Sequence, residues 1–258
     1  MKIRLTIALA GAFAVGAFGQ TGTPEPQPAS CSDLPSSADV KAALTAVQSG
    51  MNGGNSGLGF QMWATLVNRD GVVCVVTFSG QDRGDQWPGS RVISAQKAYT
   101  ANAFSVPGFA LSTANLYAAT QPGGSLYGLQ FSNPVDTAAA YTGDSTTFGT
   151  TTDPMMNKVV GGVNVFGGGL ALYNSTGKLV GGLGVSGDTS CTDHIIAWKV
   201  RWKLNYDNVP AGIGGDNKDN MINPSGVPGG HPDCDTLATG IAGALPSQFP
   251  TGATGPTQ

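Results

Sequence analysis

Two stretches of this chain follow one grammar: a β-prone run, a turn containing glycine, a second β-prone run, a Ser-Gly pair and a helix. In the first, Met62 to Val67 and Val72 to Phe78 flank Asp70-Gly71, a strong tight-turn dipeptide. Ser79-Gly80 and a polar loop then lead to a helix over Ser90 to Phe104, with Val92, Ala95 and Tyr99 on one side. In the second, Leu170 to Tyr173 and Leu179 to Val185 flank Ser175-Thr176-Gly177, and Ser186-Gly187 opens a helix from about Asp188 to Leu204. Two hairpins, each followed by a helix, predict an α+β fold: an antiparallel β-sheet flanked by helices in one compact domain. A further helix begins near Ser36, with Asp39 in its first turn and Val40, Ala43, Leu44, Val47 and Met51 on its apolar face, and Gly53 to Gly57 ends it. Residues 105–160 carry a short helix (Thr113 to Ala119) among loops rich in Pro, Gly and Thr. Beyond Asn205 no periodicity is evident, so 205–258 reads as an extended tail packed on the domain and tied down by Cys234.

Composition narrows the function classes. The 258 residues include 39 Gly and only 11% charged side chains, with formal charge −3. A nucleic-acid binder needs a basic stripe to displace counterions, and none is present. Lys2 and Arg4 precede an apolar run from Leu5 to Phe18, and Ala17-Phe18-Gly19 places small residues at a cleavage site. We read 1–19 as a signal peptide and 20–30 as a linker. The apolar run, about 14 residues, is shorter than the ~20 of a spanning helix. The expected mature protein is periplasmic or secreted, without stable membrane insertion.

Export gives the four cysteines a meaning, because disulfides persist in oxidising compartments. Cys31, Cys74, Cys191 and Cys234 allow three pairings and spacing does not choose among them; Cys31–Cys74 with Cys191–Cys234 is preferred here. The two histidines sit beside cysteines in mirrored order, Cys191-Thr192-Asp193-His194 and His231-Pro232-Asp233-Cys234. Two cysteines and two histidines are a tetrahedral zinc set in kind, but finger spacing is absent and export favours oxidation. Covalent haem needs Cys-x-x-Cys-His, which is also absent.

Other residues invite weighing. A neutral His194 near a helix start suits haem iron, with Asp193 or a carbonyl fixing its tautomer, although a locally bonded histidine is the commoner use. The run Gly161-Gly162 to Gly169 lets backbone amides approach an anionic group, or else lets strands pack closely. It is neither a Walker loop nor a dinucleotide fingerprint. Lys97, alone in a helix of small and apolar residues, reads as a charge facing solvent or a subunit, or as a partner for an acidic ligand. Gly184-Val185-Ser186-Gly187 is not a nucleophile elbow, and Asp216 to Asn220 misses the calcium-loop pattern. Trp198 and Trp202, four apart, are expected to pack rather than stack on a ligand.

Three stretches together resemble the haem-binding GlcG/HbpS-like family: the strand, Asp70-Gly71 and strand unit; the helix around Lys97-Ala98-Tyr99-Thr100-Ala101; and Gly161-Gly162 followed by Leu170 to Tyr173 and Gly181 to Gly187, ending at Asp193. The resemblance spans 34–204 and implies the same α+β fold, homo-oligomers, and binding of haem or a related tetrapyrrole. In some members this is linked to haem degradation or iron handling. The chain departs from the compact family pattern by an insertion at about 121–160 within a domain of 31–204, by the tail, and by its cysteines. The expected cofactor is haem, with His194 as candidate iron ligand and Asp193, Lys97, Thr100, Gly161 and Gly162 around the ligand or at an interface. Catalytic residues are not identifiable; haem-degrading or peroxidase-like activity rests on analogy alone. A cofactor-free assembly module and an enzyme on a small organic substrate are the competing readings.

Overall fold

A computed structural model describes residues 29–50, 54–224 and 226–252. The signal peptide, most of the linker, Met51 and Gly53 lie outside them. The long elements are α1 (Ser37–Gln48), β1 (Trp63–Asn68), β2 (Val73–Phe78) and α2 (Ser90–Ala103), followed by the one-turn helices α3 (Tyr117–Thr120), α4 (Leu129–Ser132) and α5 (Thr137–Ala140). Then come β3 (Gly169–Tyr173), β4 (Leu179–Ser186), α6 (Ser190–Lys203) and α7 (Thr236–Gln248). The strands form one antiparallel sheet in the order β2-β1-β4-β3. The α+β expectation holds.

Local chemistry sets the boundaries. The Ser36 side chain accepts the Asp39 N–H and caps α1, whose Val40, Ala43, Leu44 and Val47 are buried. Gly71 turns the first hairpin at φ +81°, a region that disfavours any side chain. The pleat then sorts residues by face. Ala64, Leu66, Leu172, Leu183 and Val185 join α1, α6 and α7 in the larger core. Trp63, Val67 and Val73 meet Val92, Ala95 and Ala98 of α2 on the other side. There α2 lies directly on β4: a Cβ on Gly184 would fall 1.9 Å from the Ser94 carbonyl oxygen, and one on Gly182 2.3 Å from that of Ala98. Side chains on these two glycines would push the helix off the sheet.

The tail departs from the extended reading. Thr236–Gln248 is helical although it holds Gly240, Gly243 and Pro246. Asp235 caps it by accepting the Ala238 N–H, and Ala238, Ala242 and Leu245 bury one face against the core around α6. Cys31–Cys74 and Cys191–Cys234 are the two disulfides, the pairing preferred from the sequence. No helix among the described residues is long and apolar enough to cross a membrane.

Candidate functional site

The nominated residues converge on Gly167-Gly168, the approach to β3. A Cβ on Gly168 would sit 3.0 Å from the Asp193 Cβ and 3.2 Å from the Lys97 Nζ; one on Gly167 would sit 2.9 Å from the His194 Cβ and 3.3 Å from the His231 Nε2. The glycine pair thus brings α2, the start of α6 and the tail to one point. Thr189 caps α6 by accepting the Thr192 N–H. One turn in, Asp193 folds its carboxylate back over the helix start, where Oδ1 accepts the N–H groups of Gly187 (3.1 Å) and Asp188 (3.0 Å). Its Oδ2 receives Lys97 Nζ at 2.7 Å, and Lys97 also reaches the Val185 carbonyl at 3.3 Å. Lys97 is 2% exposed, so this charge faces its own chain rather than solvent or a subunit. Burial outweighs the pull of Lys97 and holds the Asp193 carboxyl at about 6.

Both histidines are wholly buried. His231 accepts the Gly167 N–H on Nε2 (3.0 Å) and donates from Nδ1 to the Pro232 carbonyl (2.9 Å), which defines its neutral tautomer. His194 Nε2 lies 3.1 Å from the Met221 nitrogen and 3.2 Å from Asn220 Oδ1, while its Nδ1 has no partner among the described residues. Desolvation lowers both rings, His194 to about 3 and His231 to about 4.

The remaining nominees lie apart. Thr100 donates to the Gln96 carbonyl and accepts the Asn164 N–H. Gly161 bridges to Val135, and a Cβ on Gly162 would meet the Val135 side chain at 2.7 Å. The amides of the glycine-rich run turn inward: Val163 N–H donates to the Asn133 carbonyl and Gly169 N–H to Thr113 Oγ1. The mirrored Cys/His pairs do meet, with His231 Nδ1 4.0 Å from Cys191 Sγ, but both thiols are in the disulfide.

Sequence reasoning missed two further buried ion pairs. Arg201 donates to both Asp219 oxygens (2.6 and 2.8 Å), and Arg91 holds Asp153. Only the arginines' positions on otherwise apolar helix faces hinted at them. Asp207, 2% exposed, has neither carboxylate oxygen bonded among the described residues, and desolvation raises it to about 6.

Beside this cluster opens a groove of about 610 Å³, walled by Leu111, Leu116, Ala118, Ala119, Ile213 and Val227. Its volume and apolar lining fit the body of a flat tetrapyrrole. The imidazoles do not fit iron ligation as they stand, because neither lines the groove. Asn115, in the groove wall, donates to the Asn220 carbonyl, and Asn220 contacts His194; His231 follows two residues after the wall residue Gly229.

A family model described as "Haem degrading protein HbpS-like" matches residues 39–200. Among solved structures, the Klebsiella pneumoniae protein ORFY is 22% identical with a TM-score of 0.44, over 70% of this chain and 94% of that one. The PduOC–haem complex is 25% identical with a TM-score of 0.42, over 64% of this chain and 88% of that one. No curated protein matches the sequence. The matched segment runs from the first turn of α1 to near the end of α6 and takes in the whole sheet, and on that match the chain belongs to the HbpS-like family.

Proposed function

We propose that this protein is exported and holds haem or a close tetrapyrrole relative non-covalently, as a homo-oligomer, in storage, sensing or iron handling. The observation that carries the reading is the 610 Å³ apolar groove next to the cluster the sequence nominated. Family membership supplies the ligand class, and the disulfides agree with an oxidising compartment such as the periplasm or the exterior. Phe131, Tyr127 and Tyr141 of the 121–160 segment are exposed and favour contact between copies. Among the described residues no acid, lysine or histidine lines the groove, which supports holding rather than chemistry. We assign the grip to apolar contact with the macrocycle, since neither His194 nor His231 lines the groove. Lys97 and Asp193, which do not line the groove, tie α2 to the start of α6 through their mutual pair.

Haem titration of the purified protein tests this. The expected result is a saturable Soret shift that survives His194→Ala and His231→Ala and is lost in Ala119→Trp, which fills the groove. Loss of the shift in a folded His194→Ala would move the site to the imidazole. No saturable shift in the parent protein would leave the cofactor-free assembly module as the reading. Haem-dependent oxygen uptake no faster than that of free haem would remove haem degradation.

A further inference from the structure

A second cavity, of about 330 Å³, shares no residue with the groove. Trp63 at the start of β1, Asp82, Arg83, Gly84 and Pro88 of the loop between β2 and α2, and Phe148 of the 121–160 segment line it. Its aromatic walls are braced from behind. The Arg91 guanidinium stacks on Phe148 at 3.7 Å and is itself held by buried Asp153. Trp63 packs on Phe78 with ring centroids 4.7 Å apart, and Gly149 is pressed so closely on both that a Cβ there would fall 2.3 Å from Phe78 and 2.9 Å from Trp63. A slot fixed in this way loses little freedom when a ligand enters.

The polar groups at the cavity are unevenly used. Asp82 Oδ1 accepts the Gly84 N–H at 2.7 Å, and Asp85 Oδ2 accepts those of Gln81 and Asp82, so these acids shape the loop. Arg83 is exposed and forms no hydrogen bond or ion pair among the described residues, although its charge helps to lower the Asp144 carboxyl. Trp63, 1% exposed, has an indole N–H without an acceptor among the described residues. The cavity therefore combines flat apolar walls with a guanidinium that no described residue engages. Asp82 on the same rim disfavours a dianion such as a phosphate ester.

We propose that this cavity binds a small aromatic monocarboxylate, its ring between Trp63, Pro88 and Phe148 and its carboxylate on Arg83. A guanidinium and a carboxylate make charge-assisted hydrogen bonds that a neutral amide does not reproduce. Calorimetric titration of the full protein with benzoate, benzamide and acetate tests both halves of the claim. Benzoate is expected to bind saturably at one site, with benzamide and acetate weaker by about tenfold or more. Arg83→Gln, an exposed loop substitution, should weaken benzoate by a similar factor and leave the haem titration unchanged. Phe148→Ala should weaken benzoate too, with Phe148→Leu restoring part of the affinity if the far-ultraviolet dichroism of Phe148→Ala shows lost structure. Absence of saturable benzoate binding overturns the proposal. Equal binding of benzamide, or no effect of Arg83→Gln, overturns the role of charge; equal binding of acetate overturns the role of the ring.

Discussion

Lys97→Met should be among the most damaging single changes in this protein. The substitution keeps most of the side chain's volume but removes the ammonium 2.7 Å from Asp193 Oδ2. The carboxylate left behind is enclosed and keeps only the N–H groups of Gly187 and Asp188, both on the other oxygen. Stranding one member of a buried pair typically costs about 3–5 kcal/mol, a large part of the ~5–15 kcal/mol that holds a domain folded. The cost should depend on pH. In the parent protein the Asp193 carboxyl lies at about 6, above its ordinary 3.8, so the fold takes up a proton that the unfolded chain releases. This contribution is complete below about pH 4 and is lost as pH rises through 6. Without Lys97 the carboxyl rises further, so the defect is largest above neutrality and shrinks on acidification, by up to ~1.4 kcal/mol per pH unit. Urea unfolding at pH 7.5 and pH 5 measures it. Adding Asp193→Asn, which keeps an acceptor for the two N–H groups but no charge, should recover most of the loss. A defect below about 1 kcal/mol at pH 7.5, or one equal at both pH values, would refute the reasoning.

Three further outcomes follow from the same structure. Gly184→Ala places a methyl 1.9 Å from the Ser94 carbonyl oxygen on the α2 backbone, so urea unfolding should show a loss of ~3 kcal/mol, whereas Gly240→Ala in α7, where a Cβ meets nothing, should gain ~0.5–1 kcal/mol from helix propensity. Each disulfide spans 43 residues, and its removal as a Cys→Ser pair should lower stability by about 4 kcal/mol on loop entropy, readable as a fall in the urea midpoint. His194 and His231 are depressed from 6.5 to about 3 and about 4, so their stabilising contribution is intact above pH 6.5 and lost as pH falls toward those values. Relative to the parent, His194→Gln/His231→Gln should therefore lose less stability between pH 6.5 and pH 4; equal slopes would count against buried neutral imidazoles.

The elements were legible where local chemistry decides them. Asp70-Gly71, the Ser36 cap and the apolar spacing of Val40, Ala43, Leu44 and Val47 place their hairpin and helix because each signal acts within one turn of chain. Helix α7 was hidden by two glycines and Pro246, all poor helix formers, although Asp235 and the Ala238, Ala242 and Leu245 spacing mark it in hindsight. The candidate site was harder. His194, Asp193 and Lys97 were nominated for their rarity or position, but the burial of Lys97 and Asp193 follows from the glycines of β4 that let α2 rest on it, and His194 is covered by Asn220 and Met221 of the tail. Which acid answers Lys97 is set by a contact across 96 residues, and no local pattern encodes that. The groove was not legible either, since its walls come from residues 111–125 and from 213 and 226–229.

Neither disulfide crosses residues 75–190, so one backbone cut within the 121–160 segment would leave no covalent link between the two pieces. Each product would keep its own hairpin and its own sulfur bridge. The order β2-β1-β4-β3 places the seam between them along β1 and β4, and α2 of the first piece would still lie across the glycines of β4 in the second. A nicked molecule would thus be a heterodimer with a continuous strand ladder at its centre. Two co-produced fragments ending and starting near residue 125 should reassemble into the native fold, as a split protein whose halves recognise each other by sheet completion.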